Sequence, residues 1–228
     1  MTALLWPDWI APNSIEFWLE NQSRSGGISI LGNERIVASP SSRWRASLSF
    51  RIWGTRLDPN RLLYWRTFAS RMQGRSGSVL IGPWDQLTPG RLAGGLPATA
   101  PFSDGATFSD GSLFAQDGMA GIALATAAGA INARTITFTY SGVTPPTAGQ
   151  YFGLGGTSLY LADTFTNNGD GTFTLGFSPG LRAAVAIGDR IEFERPRCTM
   201  RLMADDTARA KLQIGFVADT TLDLVEVF

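Results

Sequence analysis

Between Arg43 and Asp85 the chain reads strand, helix, strand, and this stretch constrains the fold more than any other. Trp44, Ala46, Leu48, Phe50 and Ile52 alternate with Arg45, Ser47, Ser49 and Arg51, the period-two pattern of a strand with one buried face. Asp58-Pro59 follows, an N-cap residue ahead of the residue best tolerated at the first helical position. Leu62, Trp65, Phe68, Ala69 and Met72 recur at helical spacing and Gly74 stands where a helix would stop, so a helix is expected near residues 59–73. Ser78 to Ile81 restarts a strand, closed by Gly82-Pro83-Trp84-Asp85. One strong helix in a chain otherwise made of strands and turns predicts a helix laid on a β-sandwich, an architecture suited to assembly rather than catalysis.

Composition narrows the chemistry. The chain has 228 residues, enough to bury one large β domain or two smaller ones. Only 17% of residues are charged, with 19 basic and 19 acidic side chains. That neutral balance weighs against a nucleic-acid protein, which needs excess cations to neutralise phosphates, and favours self-association. Lys211 is the only lysine, so nearly every cation is Arg, the side chain suited to forked contacts at interfaces. There is no histidine, which removes the commonest general base and the commonest zinc ligand. The single cysteine, Cys198, excludes an intrachain disulfide and a four-cysteine cluster, and is expected to be a small buried apolar residue. Met1 to Pro7 lacks the basic start of a secretory signal, and no apolar run is long enough for a membrane span.

Along the rest of the chain, Ser14 to Glu20 alternates as a first strand; Ser25-Gly26-Gly27 is expected to turn it, with Ile28 to Ile30 pairing back. Leu87 to Ala100 is rich in Pro and Gly, the composition of a linker. Phe102-Ser103-Asp104-Gly105, Phe108-Ser109-Asp110-Gly111 and Phe114 to Gly118 then form a short repeat of apolar anchors and tight Asp-Gly turns. Asp104, Asp110 and Asp117 offer hard oxygens, but their spacing matches no calcium-loop pattern. Ala133 to Phe193 has a turn about every ten residues, including Asn167-Asn168-Gly169-Asp170-Gly171 before Phe173, Leu175 and Phe177, as a small barrel or sandwich would. The closing segments around Met200, Leu212 and Leu222 to Phe228 are strand-like and are expected to return to the first domain. The expected organisation is mainly β: residues 1–95 and 195–228 form a β-sandwich with one flanking helix, and 96–194 a linker and an inserted all-β module.

Trp65, Phe68, Met72 and Gly74-Arg75, followed by Val79-Leu80-Ile81-Gly82-Pro83-Trp84-Asp85, resemble the distal-tail and tail-tip (baseplate) proteins of long-tailed bacteriophages and gene transfer agents. Gly149 to Phe152, Pro179 to Arg182 and Gly188-Asp189 also resemble modules that recur in phage tail proteins. The resemblance implies a tail-tube-like sandwich in a virion structural protein, assembled in the host cytoplasm into a ring at the tip of a long non-contractile tail. It implies a homo-oligomer, a hexamer favoured over three subunits, bound to the tail tube and hub proteins. Nucleic-acid contact is then limited to passage of the genome. The cysteine cluster of some tail-tip relatives is absent, so their iron–sulfur role does not carry over.

No catalytic, cofactor-binding or metal-binding residues and no cofactor are expected. Interface cores favour aromatics and Arg, which marks Trp6, Trp9, Arg43, Arg45, Arg51 and Trp84 as candidate subunit contacts. Trp6 and Trp9 sit in a Pro-flanked segment without periodicity, which a monomer would struggle to bury. The alternative function is a host-surface glycan-binding module, with Tyr140, Tyr151 and Tyr160 as candidate stacking rings. A two-carboxylate hydrolase would need a pair among Asp85, Asp104, Asp110 and Glu192, and none is set apart from turn or surface acids.

Overall fold

The computed structural model describes residues 3–7, 10–28, 30–38, 41–53, 60–89, 98–100, 109, 114–116, 121–142, 144–205, 211–213 and 217–228. Trp9, Asp58-Pro59 and nearly all of the Phe/Asp-Gly repeat lie outside them. In chain order the elements are β1 (Leu4–Leu5), β2 (Ser14–Glu20), β3 (Ser23–Ile28), β4 (Glu34–Ala38), β5 (Arg43–Trp53), α1 (Asn60–Met72), β6 (Val79–Ile81), β7 (Ala98–Ala100) and β8 (Phe114–Gln116). They continue with β9 (Ala123–Ala125), β10 (Thr135–Tyr140), β11 (Tyr151–Leu154), β12 (Ser158–Asn167), β13 (Thr172–Ser178), β14 (Arg190–Glu192), β15 (Cys198–Leu202), β16 (Lys211–Gln213) and β17 (Val217–Glu226). The protein is mainly β, and it divides into two compact units, residues 1–84 with 197–228, and residues 85–196.

The first unit is built on a sheet ordered β1-β6-β15-β17-β5-β2, with β16 added to β17. β5 is its spine: β17 runs antiparallel to it from Val217↔Trp53 to Val225↔Arg45, and β2 pairs its other side from Ser14↔Ser49 to Glu20↔Arg43. Trp44, Ala46, Leu48, Phe50 and Ile52 point inward and are buried, as the alternation requires. α1 lays Leu62, Trp65, Phe68 and Met72 on the same core; the Trp65 ring lies 6.1 Å from Phe50. The helix ends through Gln73 and Gly74, both in the left-handed region, at φ 48° and 61°. Cys198 is buried with its β15 neighbours Met200 and Leu202.

Where the sequence predicts a turn at Gly26-Gly27, the structure has a bulge. β3 continues through both glycines, its register against β4 shifting between Ser25 and Ile28, and Gly27 has φ 87°. The chain reverses instead at residues 30–33, and β3 and β4 form a separate two-stranded hairpin that follows edge strand β2 after two residues.

In the second unit β10-β13-β12-β11-β14-β9 close into a barrel, while β7 and β8 pair by themselves. Phe138, Phe152, Tyr160, Leu175, Phe177 and Ile191 are among its fully buried fillers. Short strands serve here because closure leaves no edge to protect. The Asn167–Thr172 connection is a tight reversal in which Asp170 accepts the N–H and hydroxyl of Thr172, contacts that hold its carboxyl below the usual range.

Candidate functional site

The face of the first unit's sheet turned away from α1 carries alternating short polar and charged residues, and they pair across strands. Arg45 Nε donates to Glu20 at 2.6 Å. Ser47 donates to Asp223 at 2.7 Å. Ser49 and Thr221 hydroxyls meet at 3.4 Å. Arg51 donates through two nitrogens to Asp219, at 2.8 and 3.5 Å, and this bond, aided by the Asp219 charge, holds its guanidinium above the usual Arg value. Arg43 lies over the Phe228 ring, 5.0 Å from its centre. The three arginines expected at an interface are therefore on one solvent-facing surface, already engaged within their own sheet. Trp18 on β2 stands among them, 42% exposed.

Trp6 corrects the expectation placed on it. It is 3% exposed, its ring stacks on Phe50 at 4.8 Å, and Phe68 and Trp84 meet it edge-on at 5.2 and 5.9 Å. Its Nε1 donates to Ile10 O at 2.8 Å. Parallel pairing of β1 with β6 carries it there, Leu4↔Val79 and Leu5↔Leu80. Trp6 fills the space between β5 and α1, against Phe50, Trp65 and Phe68. Trp84 is half-buried at the margin of the same cluster, with a left-handed backbone at φ 48°; it too serves the core of its unit.

In the barrel unit, Tyr160 is 1% exposed, stacked on Phe152 at 5.3 Å, and its hydroxyl accepts the Arg182 N–H. It cannot stack on a sugar. Tyr140 and Tyr151 are half-buried. Burial pushes the Tyr151 phenol up, and the charge of Asp85 adds to the shift. Among the described residues, no three His, Cys, Asp or Glu side chains converge to hold a metal ion, and no helix is long and apolar enough to cross a membrane.

A further set of exposed apolar side chains was not among the expected sites. Ile28, Ile30, Leu31, Ile36 and Val37, all on the β3–β4 hairpin, are 58–106% exposed. Ile30 and Leu31 lie at its turn, and Ile36 and Val37, successive on β4, face opposite sides of the hairpin. A trace of it stands in the sequence, where the adjacent apolar pairs Ile30-Leu31 and Ile36-Val37 flank Gly32-Asn33 and cannot share one buried strand face. No protein-family model matches the chain, and no characterised protein sequence matches it significantly.

Proposed function

We propose that this chain is a structural protein of a long non-contractile phage tail, forming a homo-oligomeric ring at the distal tail that joins the tail tube to the host-recognition apparatus. In this role the first unit acts as the tail-tube-like sandwich with its flanking helix, and the barrel as the inserted module. The observation that carries the proposal lies in the first unit: a separate two-stranded hairpin with exposed Ile28, Ile30, Leu31, Ile36 and Val37, two residues along the chain from edge strand β2. Exposed aliphatic side chains with arginines on the same hairpin have the composition of a protein contact. Near-zero net charge favours the same outcome. Electron-microscopic class averages of the purified protein at high concentration, and of the particles that carry it, test the proposal. Closed rings at the tail end are expected. A protein that stays monomeric, together with complete tails on virions lacking it, would sink it.

A further inference from the structure

The hairpin's aliphatic tip needs an occupant, and the charge of the chain indicates which. Residues 1–84 and 197–228 hold 14 basic and 10 acidic side chains, whereas residues 85–196 hold five basic and nine acidic. The two units therefore carry +4 and −4, although the whole chain is neutral. The hairpin itself carries exposed Arg24 and Arg35 against one acid, Glu34. Two copies meeting hairpin to hairpin would set these cations against each other. A hairpin meeting the acidic unit of another copy sets unlike charges together.

The barrel offers a matching surface. Leu124 on β9 and Ile122 just before it are 39% and 55% exposed. Ile187, 70% exposed, lies in the turn whose Gly188 N–H donates to Ala125 O at the end of the same strand. β14 pairs beside β9, Arg190↔Leu124, and carries Glu192, while Asp189 closes the turn just before it, accepting the Ala186 N–H at 2.8 Å. Arg190 is bonded to Glu192 at 3.3 Å, which leaves these residues acidic on balance.

We propose that the β3–β4 hairpin docks onto the outward face of β9 in the barrel of a second copy, its tip on Ile122, Leu124 and Ile187 and its arginines toward Asp189 and Glu192. The contact joins two different patches, so it is head-to-tail, and repetition closes a ring when the rotation permits. The inference rests on the ring reading above and adds which surfaces make the contact.

Sedimentation equilibrium of the full chain tests it, with the double variant Ile30→Asp/Leu31→Asp and the single variant Ile122→Asp. All three substituted side chains are exposed, and circular dichroism checks that the fold is kept. Each variant is expected to lose about 100-fold or more in association constant, the scale of a hot-spot truncation. Mixed one to one, the two variants are expected to form a dimer that grows no further, because each retains the half the other has lost. Wild-type assembly by the tip variant overturns the hairpin contact while leaving the ring reading standing. A wild-type chain that is monomeric at every concentration overturns both. Binding of the monomer to phosphatidylserine vesicles through the tip, without self-association, overturns the inference in favour of a membrane.

Discussion

Trp6→Ala separates a core residue from a free arm. The indole is 3% exposed, and a ring of this kind hides about 150–250 Å². At about 25 cal/mol per Å², reduced because unfolded chains are already partly compact, burial contributes about 3–4 kcal/mol. The bond from Nε1 to Ile10 O adds about 1 kcal/mol. The expected loss is therefore about 4–5 kcal/mol, within the usual cost of truncating a buried Trp. All seven tryptophans lie in residues 1–84, wholly in the first unit. Their fluorescence during urea unfolding thus reports that unit alone. With a slope of about 2 kcal/mol per molar, the midpoint should fall by about 2 M. Trp6→Phe keeps a ring against Phe50 but leaves Ile10 O without its donor, and should cost about 1–2 kcal/mol. A Trp6→Ala stability within about 1 kcal/mol of the parent would refute the reasoning and return the N-terminal segment to the role of an arm.

Three further outcomes are expected. A Cβ on Gly77 would lie 2.0 Å from Met72 O, so Gly77→Ala must displace the last turn of α1, at a cost of about 2–4 kcal/mol visible in the same fluorescence assay; an unchanged midpoint would show that the turn yields freely. Glu226 is 2% exposed and accepts the Trp44 N–H at 3.0 Å; Glu226→Gln keeps an acceptor and should unfold near the parent, whereas Glu226→Ala should lose about 1–3 kcal/mol, and equal losses in both variants would show that the bond is not what matters. Burial pushes the Tyr140 phenol up, against the pull of the Gly121 N–H and with help from the Glu194 charge. Because the folded pKa is raised, the associated stability is whole below the unfolded value of about 10 and is lost as pH rises through the folded value. Tyr140→Phe should flatten the alkaline loss of barrel stability followed by circular dichroism, and an identical alkaline profile in both proteins would count against this assignment.

The elements legible in the sequence are those whose burial is one-sided and local. β5 and α1 each bury one face, so Trp44 to Ile52 alternate and Leu62 to Met72 recur at helical spacing, and their inward residues could be named from pattern alone. The Asn167–Thr172 reversal was equally plain, because its glycines sit where φ is positive, at 81° for Gly169 and 83° for Gly171. Trp6 was not legible. Its burial depends on parallel pairing with a strand more than seventy residues away, at Val79 and Leu80, and two-residue β1 has no room for a period. Gly26-Gly27 misled for a related reason: the same positive φ serves a turn or a bulge, and only the partner strand decides which. β4 had no expected partner once the turn was placed too early. The candidate site suffered most, because a surface that is apolar and exposed has the composition of a core strand and differs from one only in what is missing above it.

The pairing of β6 with β15 has one more consequence. Ile81 lies opposite Cys198 in that antiparallel ladder, so the chain leaves the first sheet and re-enters it on neighbouring strands, about 5 Å apart. To the sheet, the whole stretch between them is equivalent to a hairpin loop, since the sheet senses only the separation of the two ends. Any domain whose termini lie close together can be grafted at this point without changing a single strand register of its host. The position is therefore a joint at which the length and fold of the inserted stretch are free to vary without disturbing the strands on either side.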